Sequence, residues 1–599
     1  MSETHYSQLI SRQAQKYGER DALRYHNYES DKWLAVSWNK FETQVRNTAK
    51  ALYDSGLQEQ QNIGIFSQNK PECFFVDFGI YANRAVSVPM YATSTPEQIE
   101  YIVDDANIDT IFVGEQYQYE MALTVLKRSA VLKKIIVFDD NVKIETENSG
   151  YFSDFLKKGE TSASQAAVDK RTARASVDDI ATILYTSGTT GEPKGVVLPH
   201  SCYLEAMRIH ILRMPFINDQ QTSLCFLPLT HIFERAWSYL CLSNGVLINI
   251  NLRPAEIQRA VAETRPTMMC SVPRFWEKVY AGIQEKLETY SPVMIGVVAW
   301  AIAVGKKYNI KYLKEEKRPP IFLKWKYNLA DKLVFSKLKK TLGIENGVMF
   351  PTAGAALSDE ICQFFRAVGV PITVGYGLTE SCATVCCFEP TKYTFDSIGT
   401  IMPDLQVKIG EDNEILLKGK TIFREYYNKP QANAQAFTAD GWFRTGDAGK
   451  IDGKTLFMTE RLKDLFKTSN GKYIAPQQIE TRLAADKYID QVAVIGDQRN
   501  YVTALIAPAL LPLQEYAKTQ QIDYENTENL LKNPKIYDFI AERVKEAQKG
   551  MATYEQIKKF ALIAKGFSLE EGELTNTLKI KRTIISEKYR KLIDEMYKK

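Results

Sequence analysis

A cluster of Ser and Thr hydroxyls, three glycines and a lysine fall within the dozen residues Tyr185-Thr-Ser-Gly-Thr-Thr-Gly-Glu-Pro-Lys-Gly-Val196. Glycines let the backbone approach closely and adopt φ > 0, so freed N–H groups and hydroxyls can wrap phosphate oxygens, while a lysine adds a mobile point charge. The phosphate-binding candidates are therefore Thr186, Ser187, Gly188, Thr189, Thr190, Gly191 and Lys194. A Walker A loop is excluded, because that motif needs Gly-Lys-Ser/Thr at a helix start. Here Glu192 and Pro193 part Gly191 from Lys194, and Val196-Val-Leu198 reads as strand. The loop lies between strands, and helix signals begin only at Ser201.

Two more constellations follow. Gly375-Tyr376-Gly377-Leu-Thr379-Glu380 comes directly after the apolar strand Val370-Pro-Ile-Thr-Val374. Glycines around a tyrosine leave room for a flat base, and Glu380 is a hard oxygen donor suited to Mg²⁺. In Gly441-Trp-Phe-Arg-Thr-Gly-Asp447, a carboxylate after a tight turn has one oxygen for each of two ribose hydroxyls.

Taken in order, these segments resemble the adenylate-forming superfamily of acyl-CoA synthetases, luciferases and peptide-synthetase adenylation domains, over most of the chain. The resemblance implies adenine contact at Tyr376, phosphate contact at Thr379, Mg²⁺ at Glu380 and Thr186, and ribose at Asp447. Glu460-Arg-Leu-Lys-Asp464 is similar to the superfamily's interdomain hinge. That implies a ribose or phosphate contact for Arg461 and the rotating backbone position for Lys463. Gly471 matches a glycine of the pantetheine channel of CoA. Leu574-Thr-Asn-Thr-Leu-Lys-Ile-Lys-Arg582 resembles the catalytic-lysine segment, implying Lys579, with Lys581 as its rival. Thr352-Ala-Gly-Ala-Ala-Leu357 departs from the usual Gly-Gly and proline, and its nucleotide contacts fall on Gly354, Ala355 and Ala356.

Leu227-Pro-Leu-Thr-His231-Ile-Phe-Glu-Arg235, Val272-Pro-Arg-Phe-Trp-Glu-Lys-Val-Tyr280 and Asp331-Lys-Leu-Val-Phe-Ser336 look like long-chain fatty acyl-CoA synthetases. By that resemblance His231 sits beside the acyl carboxylate and Trp237 walls or gates the acyl channel. ATP, CoA and Mg²⁺ are the implied co-substrates and cofactor. Two other readings stay open: a fatty acyl-AMP ligase loading a carrier protein, and a non-catalytic membrane component that binds or takes up fatty acid.

These residues need elements to hold them. Asn62 to Phe66, Ala85 to Pro89 and Thr110 to Val113 read as strands, alternating with helices over Pro71 to Ala82 and Thr95 to Ala106. Such alternation predicts an α/β fold with a parallel sheet. Strands over Gln491 to Gly496 and Thr503 to Ala507, and a helix over 532–548, predict a small mobile α+β unit. The expected division is a large layered α/β domain with a smaller β subdomain at 1–460, and a small domain at 461–599. Residues 157–180, rich in Lys, Ser, Ala and Asp, read as a solvated connection.

A chain of 599 residues, 25% of them charged, suits several soluble domains or subdomains. A net charge of +4 gives no argument for nucleic acid. Nine cysteines without CxxC spacing predict reduced core thiols, and Cys382, Cys386 and Cys387 read as packing. Met1-Ser-Glu-Thr-His-Tyr6 shows no signal region, and the apolar stretch Pro292 to Val304 reads as too short to span a bilayer. A cytoplasmic protein is expected, or one peripheral on the inner face of the cell membrane. The helical segment 281–342 carries the most lopsided charge, with 12 Lys/Arg against 3 Asp/Glu from Lys306 to Lys340. It reads either as a face for anionic membrane or as a solvated helix. Monomer and homodimer are both open.

Overall fold

The computed structural model describes residues 5–186, 192–461, 465–469, 472–575 and 579–598, apart from the side chains of Glu460 and Arg461. Six strands, most of them rich in β-branched and aromatic residues, build the parallel part of an eight-stranded sheet, with Ile180–Thr186 joined in parallel to Val86–Met90. Asn62–Phe66 sits between Val86–Met90 and Thr110–Val113, in parallel with both, and Lys134–Val137 and Ser149–Tyr151 extend that edge. The crossover helix Pro71–Ala82 is buried at eleven positions, so it is apolar all round rather than striped. Pro96–Asp105 is started by a capping box of Thr95 and Gln98.

At the other edge the chain turns antiparallel. Ile180–Thr186 pairs with Lys194–Pro199 in register, placing Thr186 opposite Lys194, and Glu425–Tyr426 closes this edge against Val196 and Val197. The helix that follows opens at His200 rather than at Ser201.

A second eight-stranded sheet carries Ile372–Tyr376 near one end and the hairpin Phe443–Asp452/Thr455–Arg461 in its other half. A four-stranded sheet places Thr222–Cys225 beside Leu247–Ile250. Beyond residue 475, the three strands Ile489–Ile495, Val502–Pro508 and Ile557–Leu562 have their own core, with Ile506, Leu513 and Ile540 fully buried.

Two expectations fail. Residues 157–180 are not a bare connection, because Phe152–Thr161 and Gln165–Ala173 are helices. Phe152 and Phe155 pack on Phe112 and Phe138, and a Cβ on Gly159 would overlap the carbonyl oxygen of Asn47, so the first helix lies flat on its neighbour. Nor does the apolar helix end at Val304. It winds on through Lys306–Leu313 as π-helix, and Pro292–Leu313 is 22 residues, long and apolar enough to cross a membrane. Lys306 and Lys307 broke the apolar run in the sequence without breaking the helix.

Candidate functional site

The three sheets and the C-terminal unit border one large cleft of about 3100 Å³. Thr186 ends its strand on this cleft, and its hydroxyl lies 3.5 Å from the Lys194 carbonyl. The hairpin stem is strapped from outside: Tyr101 donates to the Pro193 carbonyl (3.0 Å), Tyr185 to Asp105 (2.6 Å), and Lys429 pairs with Asp105 (3.0 Å). Ser187, Gly188, Thr189, Thr190, Gly191, Lys463 and Gly471 lie outside the described residues, as does the side chain of Arg461.

The Lys194 ammonium stands 5.0 Å over the ring of Tyr426, and the Tyr426 hydroxyl donates to Glu380 Oε1 at 2.8 Å. One phenol thus ties the phosphate-loop lysine to the carboxylate of a motif nearly two hundred residues away. Burial, and then the Glu380 charge, push the Tyr426 hydroxyl well above its usual range, so it stays a donor. Sequence reasoning missed Tyr426. The available signal was the aromatic pair Tyr426-Tyr427 in a short strand just before a proline-opened helix.

Glu380 lies in the single turn Thr379–Ser381, whose position is set by Phe423 N–H donating to the Glu380 carbonyl at 2.8 Å. Glu380 and Thr186 both face the cleft and offer only hard oxygens. Among the described residues no group of three His, Cys, Asp or Glu is assembled for a metal. The donor set therefore fits a Mg²⁺ that takes the rest of its shell from phosphate and water.

Tyr376 ends its strand and donates to Asp447 Oδ2 at 2.6 Å. Asp447 is 1% exposed, its N–H donates to Thr445 Oγ1 at 3.0 Å, and Arg461 faces it across the hairpin. Gly377 has to be glycine, because a Cβ there would overlap the carbonyl oxygen of Ala383. Gly354, Ala355 and Ala356 are exposed on the cleft, with Gly354 at φ +93°. Cys382, Cys386 and Cys387 are buried behind this wall, as all nine cysteines are buried.

His231 is the N-cap of Ile232–Ser243, and its Nδ1 accepts the Phe233 N–H at 3.2 Å. Burial, with the positive charge of Lys579, lowers its pKa to about 4. A neutral imidazole that accepts at Nδ1 carries its proton on Nε2. Trp237, on the same helix, is buried on the cleft wall and donates to Ser223 Oγ at 3.0 Å. The preceding loop is clasped by Asn69, which donates to the Leu227 carbonyl at 2.8 Å and accepts the Leu229 N–H at 2.9 Å.

Lys579 comes from the other side of the cleft, in a tight turn where Thr575 N–H donates to the Lys579 carbonyl (2.7 Å) and Lys579 N–H to Thr575 Oγ1 (3.0 Å). Arg582 anchors this turn by donating to the Val494 carbonyl (2.8 Å) and pairing with Glu480. Lys581 lines the same cleft but occupies the cap position of Arg582–Lys588. His231, Lys579 and Lys581 all line this cleft.

A family model described as AMP-binding enzyme matches residues 10–427, and one described as AMP-binding enzyme C-terminal domain matches 463–599. A long-chain-fatty-acid–CoA ligase of Mycobacterium tuberculosis, FadD15, is 29% identical over 588 residues, covering 97% of this chain and 96% of the relative. The human ligase ACSBG1, of the same description, is 27% identical over 616 residues, covering 97% and 84%. Among solved structures, the adenylation domain of a carboxylate reductase from Mycobacterium chelonae superposes with a TM-score of 0.75 at 20% identity, over 100% of this chain and 92% of that one.

Proposed function

The chain belongs to the AMP-binding enzyme family, and on that premise we propose that it is an AMP-forming long-chain fatty acyl-CoA synthetase. The observation that carries this reading is that Lys579 and His231 line one cleft with the Tyr376–Asp447 pair and the Lys194–Tyr426–Glu380 chain. The relatives named above as long-chain ligases support the choice of acid.

In the first half-reaction a fatty carboxylate oxygen attacks the α-phosphorus of ATP, and diphosphate leaves. Lys194 and Thr186 hold the leaving group, Asp447 takes the ribose hydroxyls, and Tyr376 sits against the adenine while fixing Asp447. Thr379 contacts phosphate. Glu380 and Thr186 would hold Mg²⁺, which supplies charge neutralisation on the phosphates when bound. Lys579 bridges the negative charge shared by carboxylate and α-phosphate, and neutral His231 donates Nε2–H toward the acyl carboxylate. Catalysis of this kind is positioning and electrostatic stabilisation, and no protein nucleophile is needed. In the second half-reaction, domain 461–599 turns about Lys463 and withdraws Lys579. The CoA thiolate then attacks the acyl carbonyl and AMP leaves. Rotation separates two steps that need different residues at one place.

Burial of about 0.8 kcal/mol per methylene makes a long tail a large binding term, yet one methylene discriminates weakly. A broad preference for long chains follows. Assaying AMP and thioester formation with ATP, Mg²⁺ and CoA across a series of fatty acids tests the reading. AMP release without any CoA thioester would instead mark a ligase that loads a carrier protein.

A further inference from the structure

We propose that the bare N-terminal turn of helix Ile321–Ala330 forms a docking surface for an anionic lipid bilayer. It packs against Pro292–Gly305 as the second arm of an antiparallel pair, with Tyr327 stacked on Tyr308 and Phe335 against Gly305, so the exposed first turn of Pro292–Gly305 lies at the opposite end. Every residue from Ser291 to Gly296 is exposed, with Val293 at 78%. On the second helix Ile321 is 89% exposed, Phe322 64% and Trp325 61%, while Leu323 and Ala330 are buried. Large apolar side chains at this exposure are not core residues, since the core of the same helices lies on their other faces.

Charge decides the occupant. Lys306, Lys307, Lys311, Lys317, Arg318 and Lys324 are all exposed within the two helices and their connection. Lys326 lies 4.4 Å over the Phe322 ring, and Phe322 and Trp325 stack at 6.3 Å. An apolar tip flanked by Lys317, Arg318, Lys324 and Lys326, with an aromatic pair in it, matches an acyl–headgroup boundary carrying negative lipids. A second copy of this chain would bring the same positive charge to the contact and is disfavoured.

The surface seats the protein on the bilayer and does not thread it through. Pro292–Leu313 has the length of a span, but its C-terminal half is locked into the domain. Ala301, Val304 and Gly305 are buried, a Cβ on Gly305 would overlap the carbonyl oxygen of Ala367, and Asn309 donates to that oxygen at 2.8 Å. The first turn of Ile321–Ala330 enters lipid to the depth of about 5–10 Å typical of interfacial helices.

Co-sedimentation of the full chain with phosphatidylcholine vesicles, with and without phosphatidylserine, tests the surface without any substrate. The parent should pellet with the anionic vesicles at low salt and be partly released at high salt. Ile321→Ser/Phe322→Ser/Trp325→Ser should lose binding. Lys317→Ala/Arg318→Ala/Lys324→Ala should bind about a hundredfold more weakly, at three surface charges removed. Both sets lie on exposed positions, so unchanged thermal melts and unchanged turnover of a soluble acid serve as folding controls. Equal binding of parent and variants, parent binding that ignores phosphatidylserine, or a lipid-free dimer that the serine variant dissolves would each overturn the proposal.

Discussion

Tyr376 and Asp447, 71 residues apart, are joined by a 2.6 Å hydrogen bond from phenol to carboxylate, with both side chains buried at the edge of the cleft. The bond locks the candidate adenine platform to the candidate ribose acceptor, so the two halves of a nucleoside are recognised by one unit. Tyr376→Phe keeps the ring and loses the bond. It should lower stability by about 1 kcal/mol and raise KM for ATP only severalfold. Asp447→Ala should cost about a hundredfold in kcat/KM for ATP. Thermal melts and steady-state AMP release check both, and equal ATP dependence in the two variants would contradict the division of roles.

Lys579→Ala should slow adenylate formation by about 10²–10³, read by diphosphate exchange, because it removes preorganised charge from the transition state. The same variant should raise the pKa of His231 from about 4, since the lysine charge is one of the two causes holding it down. With five histidines in the chain, selective ¹⁵N labelling can follow that titration. Lys581→Ala should move neither quantity. A folded pKa below the usual 6.5 means His231 contributes stability at pH values above 6.5, lost as pH falls from 6.5 toward 4.

Glu234 gives the opposite sign. It is fully buried, and burial raises its pKa to about 8 although the Leu227 N–H and Ser238 hydroxyl are within reach. Its contribution is therefore intact below about pH 4.5 and is lost as pH rises through 8. Glu234→Gln, neutral at all pH, should flatten the fall of Tm between pH 5 and 8, by an amount on the order of a few kcal/mol over that window. A variant whose melting curve tracks the parent's across this range would show the group is ionised in the fold.

Asn69→Ala opens the clasp on Leu227 and Leu229 and leaves two backbone groups without that partner. A loss of about 1–3 kcal/mol in stability is expected, together with a raised KM for the fatty acid and little change for ATP. Equal effects on both substrates would mean the clasp serves the fold alone. Asn69→Asp, which keeps the acceptor for Leu229 N–H but not the donor, should fall between.

Much of this site was legible from types and spacing. Glycines at 375 and 377 and the terminal Lys-Ile-x-Arg each keep a local geometry that a short segment specifies by itself. Tyr426 was not legible, because its role depends on a two-residue strand pairing against Val196 and Val197 from a distant part of the chain. The helices at 152–173 were hidden by polar composition. Three large or small residues, Phe152, Phe155 and Gly159, make the contacts that hold the first of them down.

The local segments alone carried the resemblance to the adenylate-forming superfamily, since a chain that must end a strand in Gly-Tyr-Gly or turn before a carboxylate has few sequences open to it. Which phenol links Lys194 to Glu380, which side of the cleft Lys579 lines, and which apolar turns stay in water were decided by tertiary structure. Those are relations between segments far apart in the chain. Distance, burial and the field of a facing charge exist only once the sheets have packed.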